Sequence, residues 1–218
     1  MTRRFFGMTG VAGLLCSQPE LASMLKQRHR PRAKRFVFGA IGDQQYGEAG
    51  LRKWPALQAA INQAGELKFV VHAGDIKSGQ TSCEDSMFAG RRRDFDRFRA
   101  PLVLTPGDNE WTDCHRADNG SHDPIERLAM LRKTFYPGAY AMGQRRMRVS
   151  RQSEDSRWTP FVENAMWNEG NVLFASLHIV GSNNNFGRNE ASIAEWKTRT
   201  AANQWWLETV FKVARENG

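Results

Sequence analysis

The sequence predicts an α/β fold built on a mostly parallel sheet. Short apolar runs alternate along the chain with segments of helical periodicity, a pattern typical of strands joined by helical crossovers. Three successive apolar runs end in glycine followed by aspartate, about thirty residues apart. The chain has 218 residues, 40% of them hydrophobic, so it is long enough for one well-packed domain.

Four apolar runs predict the strands. Each run is rich in β-branched, aromatic and aliphatic residues, and turn residues follow it directly. The first three runs end at Gly-Asp, and the fourth is longer and ends at a Gly-Ser-Asn turn. The predicted strands are residues 36–41, 69–73, 102–105 and 172–180.

Helical segments separate these runs. Apolar residues in 49–65 recur at helical spacing, although Pro55 lies inside this segment and proline can interrupt a helix. The helix that opens at Asp123-Pro124 has an aspartate cap and proline in its first turn, and it extends to Pro137. Residues 88–98 and 190–217 are the other predicted helices, and the polar segment 138–170 is expected to be irregular.

The N-terminal segment, residues 1–35, is predicted to be an export-signal-like leader followed by a basic tether. Arg3 and Arg4 precede a weakly hydrophobic, glycine-rich stretch, which is similar to a twin-arginine signal. We therefore expect export, with a periplasmic location. If the start codon is misassigned, the protein would instead be cytoplasmic.

The charge distribution argues against a nucleic-acid-binding protein. The chain carries a net charge of +8, but residues 1–35 hold eight basic side chains and one acidic one. The remainder is therefore close to neutral at +1, too little for specific nucleic-acid binding. No apolar run reaches the length of a transmembrane helix, and the sequence gives no indication of the oligomeric state.

Aspartates follow the first three predicted strands at their carboxyl ends. Asp43, Asp75 and Asp108 each come directly after a glycine. Ligands of open α/β folds bind beyond these strand ends, so we expect the carboxylates to converge on one crevice. Their mutual repulsion favours a divalent cation between them, and the alternative is that all three are ordinary turn residues.

The motifs around these aspartates resemble those of calcineurin-like metallophosphoesterases. Asp43-Gln44-Gln45 is similar to the Asp-x-His motif, and Gly107-Asp108-Asn109-Glu110 to the Gly-Asn-His-Asp/Glu motif. Gly74-Asp75, with Gly79 in the loop after it, is similar to the Gly-Asp motif between them. The resemblance covers residues 36–218 and implies a layered αββα sandwich.

The resemblance also implies a metal site. Asp43, Gln45, Asp75 and Asp108 would bind divalent ions, two in number and Mn, Fe or Zn in identity, with Asp75 bridging them. Asn109 would contact the phosphoryl group, where the family has a histidine; asparagine can donate a hydrogen bond but cannot act as a general acid. Glu110 would support the loop.

The family has a further histidine and a Gly-His-x-His motif after the matched region. No histidine of this sequence lies beyond His178. The resemblance thus predicts a domain that is incomplete at its C-terminus, with an impaired site. His178 could replace a ligand, but a structural role within its strand is the favoured interpretation, as it is for His72.

Several other polar residues are candidates at the same end of the sheet. Asn183 and Asn184 follow the fourth strand and could contact phosphate oxygens, or simply form a polar turn. His115 and His122 lie in the loop after the third motif and could reach substrate or metal. Residues 91–93 are arginines, for which a solvated helix face is favoured over anion binding.

The cysteines predict a disulfide. Cys83 follows Asp75 and Cys114 follows Asp108 by a few residues, so both should lie on loops at the ligand end of the sheet. A disulfide between them suits an oxidising compartment. A zinc site is disfavoured, because no Cys-x-x-Cys or matching histidine pair is present.

The function expected from these features is metal-dependent hydrolysis of a phosphomonoester or phosphodiester. The alternative is a non-catalytic or truncated protein of the same fold that keeps a partial metal site.

Overall fold

The computed structural model describes residues 35–217, and these residues form a mixed α/β structure. The predicted leader, apart from Arg35, lies outside the described residues. Three parallel strands form the first sheet in the order β1-β2-β3, with β1 at Val37–Ile41, β2 at Leu67–His72 and β3 at Leu102–Leu104. Ile41 pairs with His72, and His72 pairs with Leu104, so the three carboxyl ends lie in register.

Three helices cover one face of this sheet. They are α1 at Gly47–Gln63, α2 at Asp85–Phe95 and α3 at Pro124–Phe135. Pro55 does not break α1, whose neighbouring Trp54 is buried against Phe95 and Phe98. The predicted cap of α3 is confirmed, because Asp123 accepts a hydrogen bond from the Ile125 nitrogen.

A second, antiparallel sheet covers the other face of the parallel sheet. Its strands are β4 at Ser150–Arg151, β5 at Ala165–Glu169 and β6 at Val172–Ala175. Phe69 and Val103 of the parallel sheet pack against Ala165 and Trp167 of the antiparallel one. The expectation that 138–170 is irregular is therefore wrong for β4 and β5, because burial against Phe69 stabilises strands in a segment of polar composition.

The fourth predicted strand is shorter than its sequence pattern indicates. Strand β6 ends at Ala175, although the apolar run continues to Val180. Beyond it, side chains replace the sheet hydrogen bonds, since Ser176 Oγ accepts from the Ala165 nitrogen and Asn164 Oδ1 from the His178 nitrogen. The chain consequently leaves the sheet after Ala175 and turns at residues 177–179, where the Ile179 nitrogen donates to the Leu177 carbonyl.

The long C-terminal helix α4, Glu190–Asn217, runs beside this segment. Trp206 Nε1 donates to the Ser176 carbonyl at 3.2 Å, and Asn203 Nδ2 donates to the His178 carbonyl at 2.8 Å. These bonds tie the helix to backbone groups that have no strand partner. Among residues 35–217, no helix is both long enough and apolar enough to cross a membrane.

Candidate functional site

The structure brings the three strand-end aspartates together. The pKa of Asp75 is raised to about 6, because burial and the nearby carboxylates of Asp108 and Asp43 outweigh the opposing hydrogen bond from the Asn109 amide. Asp43 is exposed, and its backbone nitrogen donates to the Gly74 carbonyl at 3.3 Å. The site therefore concentrates negative charge at the carboxyl ends of β1, β2 and β3.

The loops pack so closely that two of the positions before these aspartates must be glycine. A Cβ on Gly74 would lie 2.7 Å from the Gly107 Cα, and a Cβ on Gly107 would lie 2.8 Å from the Asp75 Cγ. Gly74 also has a φ of +85°, which side chains rarely adopt. The Gly-Asp pattern thus reflects direct contact between the β2 and β3 loops.

Gln45 has a buried side chain with no hydrogen-bond partner. Its exposure is 2%, and neither its amide oxygen nor its amide nitrogen is paired within the described residues. An unpaired buried amide costs about 1–3 kcal/mol. A water, a ligand or an ion could supply the missing partner, and the metal-ligand role of Gln45 stays a prediction.

Tyr46 is a site residue that the motif comparison missed. Its hydroxyl donates to Asp43 Oδ1 at 3.0 Å and accepts from Asn109 Nδ2 at 3.1 Å. Burial and the charges of Asp75 and Asp43 raise the pKa of Tyr46, so the hydroxyl stays protonated. Tyr46 therefore orients the Asn109 amide within the carboxylate cluster. In the sequence, the only sign of this role was a tyrosine three residues after Asp43.

Glu110 supports the loop, as the motif predicts. It is fully buried, and it accepts hydrogen bonds from the Gly107 nitrogen at 2.7 Å and the Ile76 nitrogen at 3.4 Å. Burial raises the pKa of Glu110 to about 8. Its contacts join the β2 loop to the β3 loop.

Arg91 is buried, so the expectation that the arginines form a solvated helix face is wrong for this residue. It is 7% exposed, and its guanidinium donates to the Ile76 carbonyl at 2.6 Å and the Gln45 carbonyl at 3.4 Å. Arg92 donates to the Thr134 carbonyl, so it too is engaged with the protein. Sequence periodicity could not reveal this, because the partner carbonyls belong to other segments of the chain, two of them loops and one the helix α3.

The turn after the fourth predicted strand contacts the site through Ser182. The Ser182 hydroxyl lies 2.8 Å from Asp108 Oδ2 and 2.6 Å from Asp113 Oδ1. Asn183 donates to the Phe186 carbonyl, while Asn184 accepts from the Val180 nitrogen and from Arg199. Both asparagine side chains therefore hold the turn, and their substrate-binding role stays a prediction.

The two other candidate histidines lie in the interior. His178 is fully buried, and its Nδ1 bonds to Glu163 at 2.7 Å. His72 packs on the Phe95 ring at 5.2 Å, and burial lowers the pKa of His72 to about 4. These contacts agree with the structural roles favoured for both.

The predicted disulfide between Cys83 and Cys114 is confirmed. The two Cα atoms are 5.8 Å apart, and the bond closes a loop of 31 residues. It joins the segment after Asp75 to the segment after Asp108, which are the two loops that hold the site.

Reduction of this disulfide is expected to lower the free energy of unfolding by about 3–4 kcal/mol, because the open chain gains loop entropy. Urea unfolding with and without dithiothreitol measures the difference. The double variant Cys83→Ser/Cys114→Ser should match the reduced protein and should not respond to dithiothreitol. A loss below about 1 kcal/mol would contradict the prediction.

Comparison with protein-family models, with curated proteins and with solved structures gives no match for this chain. Its function therefore has to be inferred from the chemistry of the site.

The donor set suits a divalent cation. The crowded carboxylates of Asp75 and Asp108 and the unpaired Gln45 amide offer oxygen ligands that hard cations prefer. Within residues 35–217, the His, Cys, Asp and Glu side chains form no ready group of three ligands. Gln45, the one expected ligand that is not an aspartate, does not belong to these four residue types.

Proposed function

We propose that this protein is a metal-dependent phosphoester hydrolase of the metallophosphoesterase type, with Asp43, Gln45, Asp75 and Asp108 as metal ligands. The observation that carries the proposal is the carboxylate cluster at the ends of three parallel strands. The buried Gln45 amide, which has no partner among the described residues, supports it. The order and spacing of the three Gly-Asp motifs support the same assignment.

The residues of the site have separate tasks in this proposal. When bound, divalent cations would polarise a phosphoryl oxygen and lower the pKa of a water nucleophile. Asn109 would donate a hydrogen bond to a phosphoryl oxygen, with its amide oriented by the Tyr46 hydroxyl. Ser182 would hold Asp108 in position from the opposite side of the site.

We also propose that the protein is exported. The disulfide supports this, because such bonds persist in oxidising compartments. The twin-arginine-like sequence before residue 36 is the second support. Phosphoesters of that compartment would then be the substrates.

The first test is the metal content of the purified full chain after loading with Mn²⁺ or Zn²⁺ and desalting. We expect bound metal in the wild type and a loss of affinity on the order of 100-fold in Asp75→Asn, with a similar loss of p-nitrophenyl phosphate hydrolysis. Asp96→Asn, at an exposed aspartate directly after the end of α2, is the matched control and should retain both.

Thermal unfolding distinguishes a variant that has lost a metal ligand from one that no longer folds. Without metal, Asp75→Asn should unfold at the same temperature as the wild type or higher, because the substitution removes a charge from a crowded cluster. Absence of bound metal in the wild type would overturn the proposal. Bound metal without hydrolysis of phosphomonoesters or phosphodiesters would favour the non-catalytic alternative.

A further inference from the structure

An arginine lies beside the residue that is proposed to contact the phosphoryl group. Arg116 follows the disulfide cysteine Cys114 by two residues, and its side chain is 46% exposed. A Cβ on Gly79 would lie 3.2 Å from Asn109 Oδ1 and 3.7 Å from Arg116 Nη1. The guanidinium and the Asn109 amide therefore flank the same point, and the lack of a side chain at Gly79 leaves that point open.

Packing between two loops fixes this arrangement. Asn119, which is fully buried, donates through Nδ2 to the Gly79 carbonyl at 2.8 Å and to the Asp113 carbonyl at 3.1 Å. The Arg116 nitrogen donates to the same Asp113 carbonyl at 3.0 Å. The backbone of Gly79 and of Arg116 is thereby held in place before any ligand binds, which lowers the entropy that binding would cost.

Most of the Arg116 guanidinium is free to bind a ligand. Its Nη1 lies 2.9 Å from Asp113 Oδ2, which is the only carboxylate oxygen within 4 Å of it among residues 35–217. Within the same residues, Nη2 and Nε have no hydrogen-bond acceptor. Since a guanidinium has five N–H donors, the donors of these two nitrogens remain for an anion.

The charge of Arg116 is only partly balanced by its neighbours. Asp113 is buried, and its carboxylate acts on Lys77 and on Arg188 as well as on Arg116, so three cations share one negative charge. Asp118 is exposed and forms no ion pair with Arg116. The carboxylates of the candidate metal site would repel an anion, and the divalent cations of the proposed function offset that charge.

We propose that Arg116 is a specificity-determining residue that binds a second oxyanion of the substrate, next to the phosphoryl group. The substrate class is then a phosphoester whose leaving group carries an anionic group close to the scissile bond. Arg116 Nη1 and Asn109 Oδ1 flank one point, so a short linker between the two anionic groups suffices. The inference rests on the proposed function, which places the phosphoryl group at Asn109 and supplies the metal ions.

The test compares two phosphonates that contain no phosphoester bond and differ by one carboxylate, 3-phosphonopropionate and propylphosphonate. Calorimetric titration of the Mn²⁺-loaded full chain measures both dissociation constants without turnover. We expect 3-phosphonopropionate to bind about 10-fold or more tightly, because a charge-assisted hydrogen bond contributes at least the 1.4 kcal/mol that corresponds to about a factor of ten.

Arg116→Gln should abolish this preference and should leave the Mn²⁺ content and the affinity for propylphosphonate unchanged. Arg116→Lys keeps the charge without the planar fork, so it should fold and should retain part of the preference. Arg97→Gln is the matched control. Arg97 also pairs with an aspartate three residues before it, but it precedes β3 at the opposite end of the sheet, so this variant should retain the full preference.

The outcomes separate this inference from the proposed function. A wild type that binds no Mn²⁺ would overturn both. A wild type that binds Mn²⁺ and shows no preference for 3-phosphonopropionate would overturn the inference alone, and so would a preference that persists in Arg116→Gln. Equal weakening of both phosphonates in Arg116→Gln would show that the arginine acts only on the structure of the site, through Asp113.

Discussion

Gly107→Ala is expected to destabilise the protein by about 3 kcal/mol and to abolish the proposed metal binding. The new methyl group would overlap the carboxylate oxygen and the backbone nitrogen of Asp75 and would lie 2.8 Å from its Cγ. Relief would require the β2 and β3 loops to separate, and those loops are joined by Glu110 and by the disulfide. Urea unfolding and metal content measure the two effects.

Gly138→Ala is the matched control for this substitution. A Cβ at Gly138 meets no atom within 4 Å, so alanine there should be neutral or stabilising by about 0.4–1 kcal/mol. Equal stability of Gly107→Ala and Gly138→Ala would show that the two loops are not in the contact described.

Glu163→Gln is expected to lower the free energy of unfolding by about 3–5 kcal/mol, because it removes a buried charge that pairs with the Arg132 guanidinium. Glu163 is fully buried and accepts from Arg132 Nη2 at 2.6 Å and from His178 Nδ1 at 2.7 Å. The variant keeps the shape of the side chain and leaves Arg132 without its partner. Urea unfolding at neutral pH measures the loss, and Glu208→Gln on the exposed face of α4 is the control.

The Glu163 carboxylate also affects how the free energy of unfolding depends on pH. Burial opposes ionisation of Glu163, but Arg132 and His178 outweigh it and lower its pKa to about 2. The folded pKa lies below the ordinary 4.5, so this stabilisation is present above pH 4.5 and is lost as the pH falls towards 2. The free energy of unfolding of Glu163→Gln should therefore fall less steeply than that of the wild type as the pH is lowered. An unchanged acid profile, with a stability change below about 1 kcal/mol, would contradict this account.

The sequence pattern predicted the parts of the fold that depend on neighbouring residues. The three parallel strands, the cap of α3 and the convergence of Asp43, Asp75 and Asp108 all follow from runs of a few residues. The prediction was wrong where long-range burial decides. Strands β4 and β5 form in a polar segment because they pack on Phe69 and Val103, which lie far away in sequence.

The candidate site also combines features that the local sequence predicts with features that only long-range packing decides. The positions of the aspartates and of the disulfide could be read from the Gly-Asp turns and the cysteine spacing. The roles of Tyr46, Ser182 and Arg91 could not, since Tyr46 meets Asn109 across 63 residues and Ser182 meets Asp108 across 74. No local pattern encodes such pairs.

By itself, the sequence determined where strands end and which acidic residues follow them, because strand ends and turns depend on local backbone preferences. Only the tertiary structure decided which side chains complete the site. Hydrogen bonds act over about 3 Å, so a partner distant in sequence is selected only when packing of the core brings its loop within that distance.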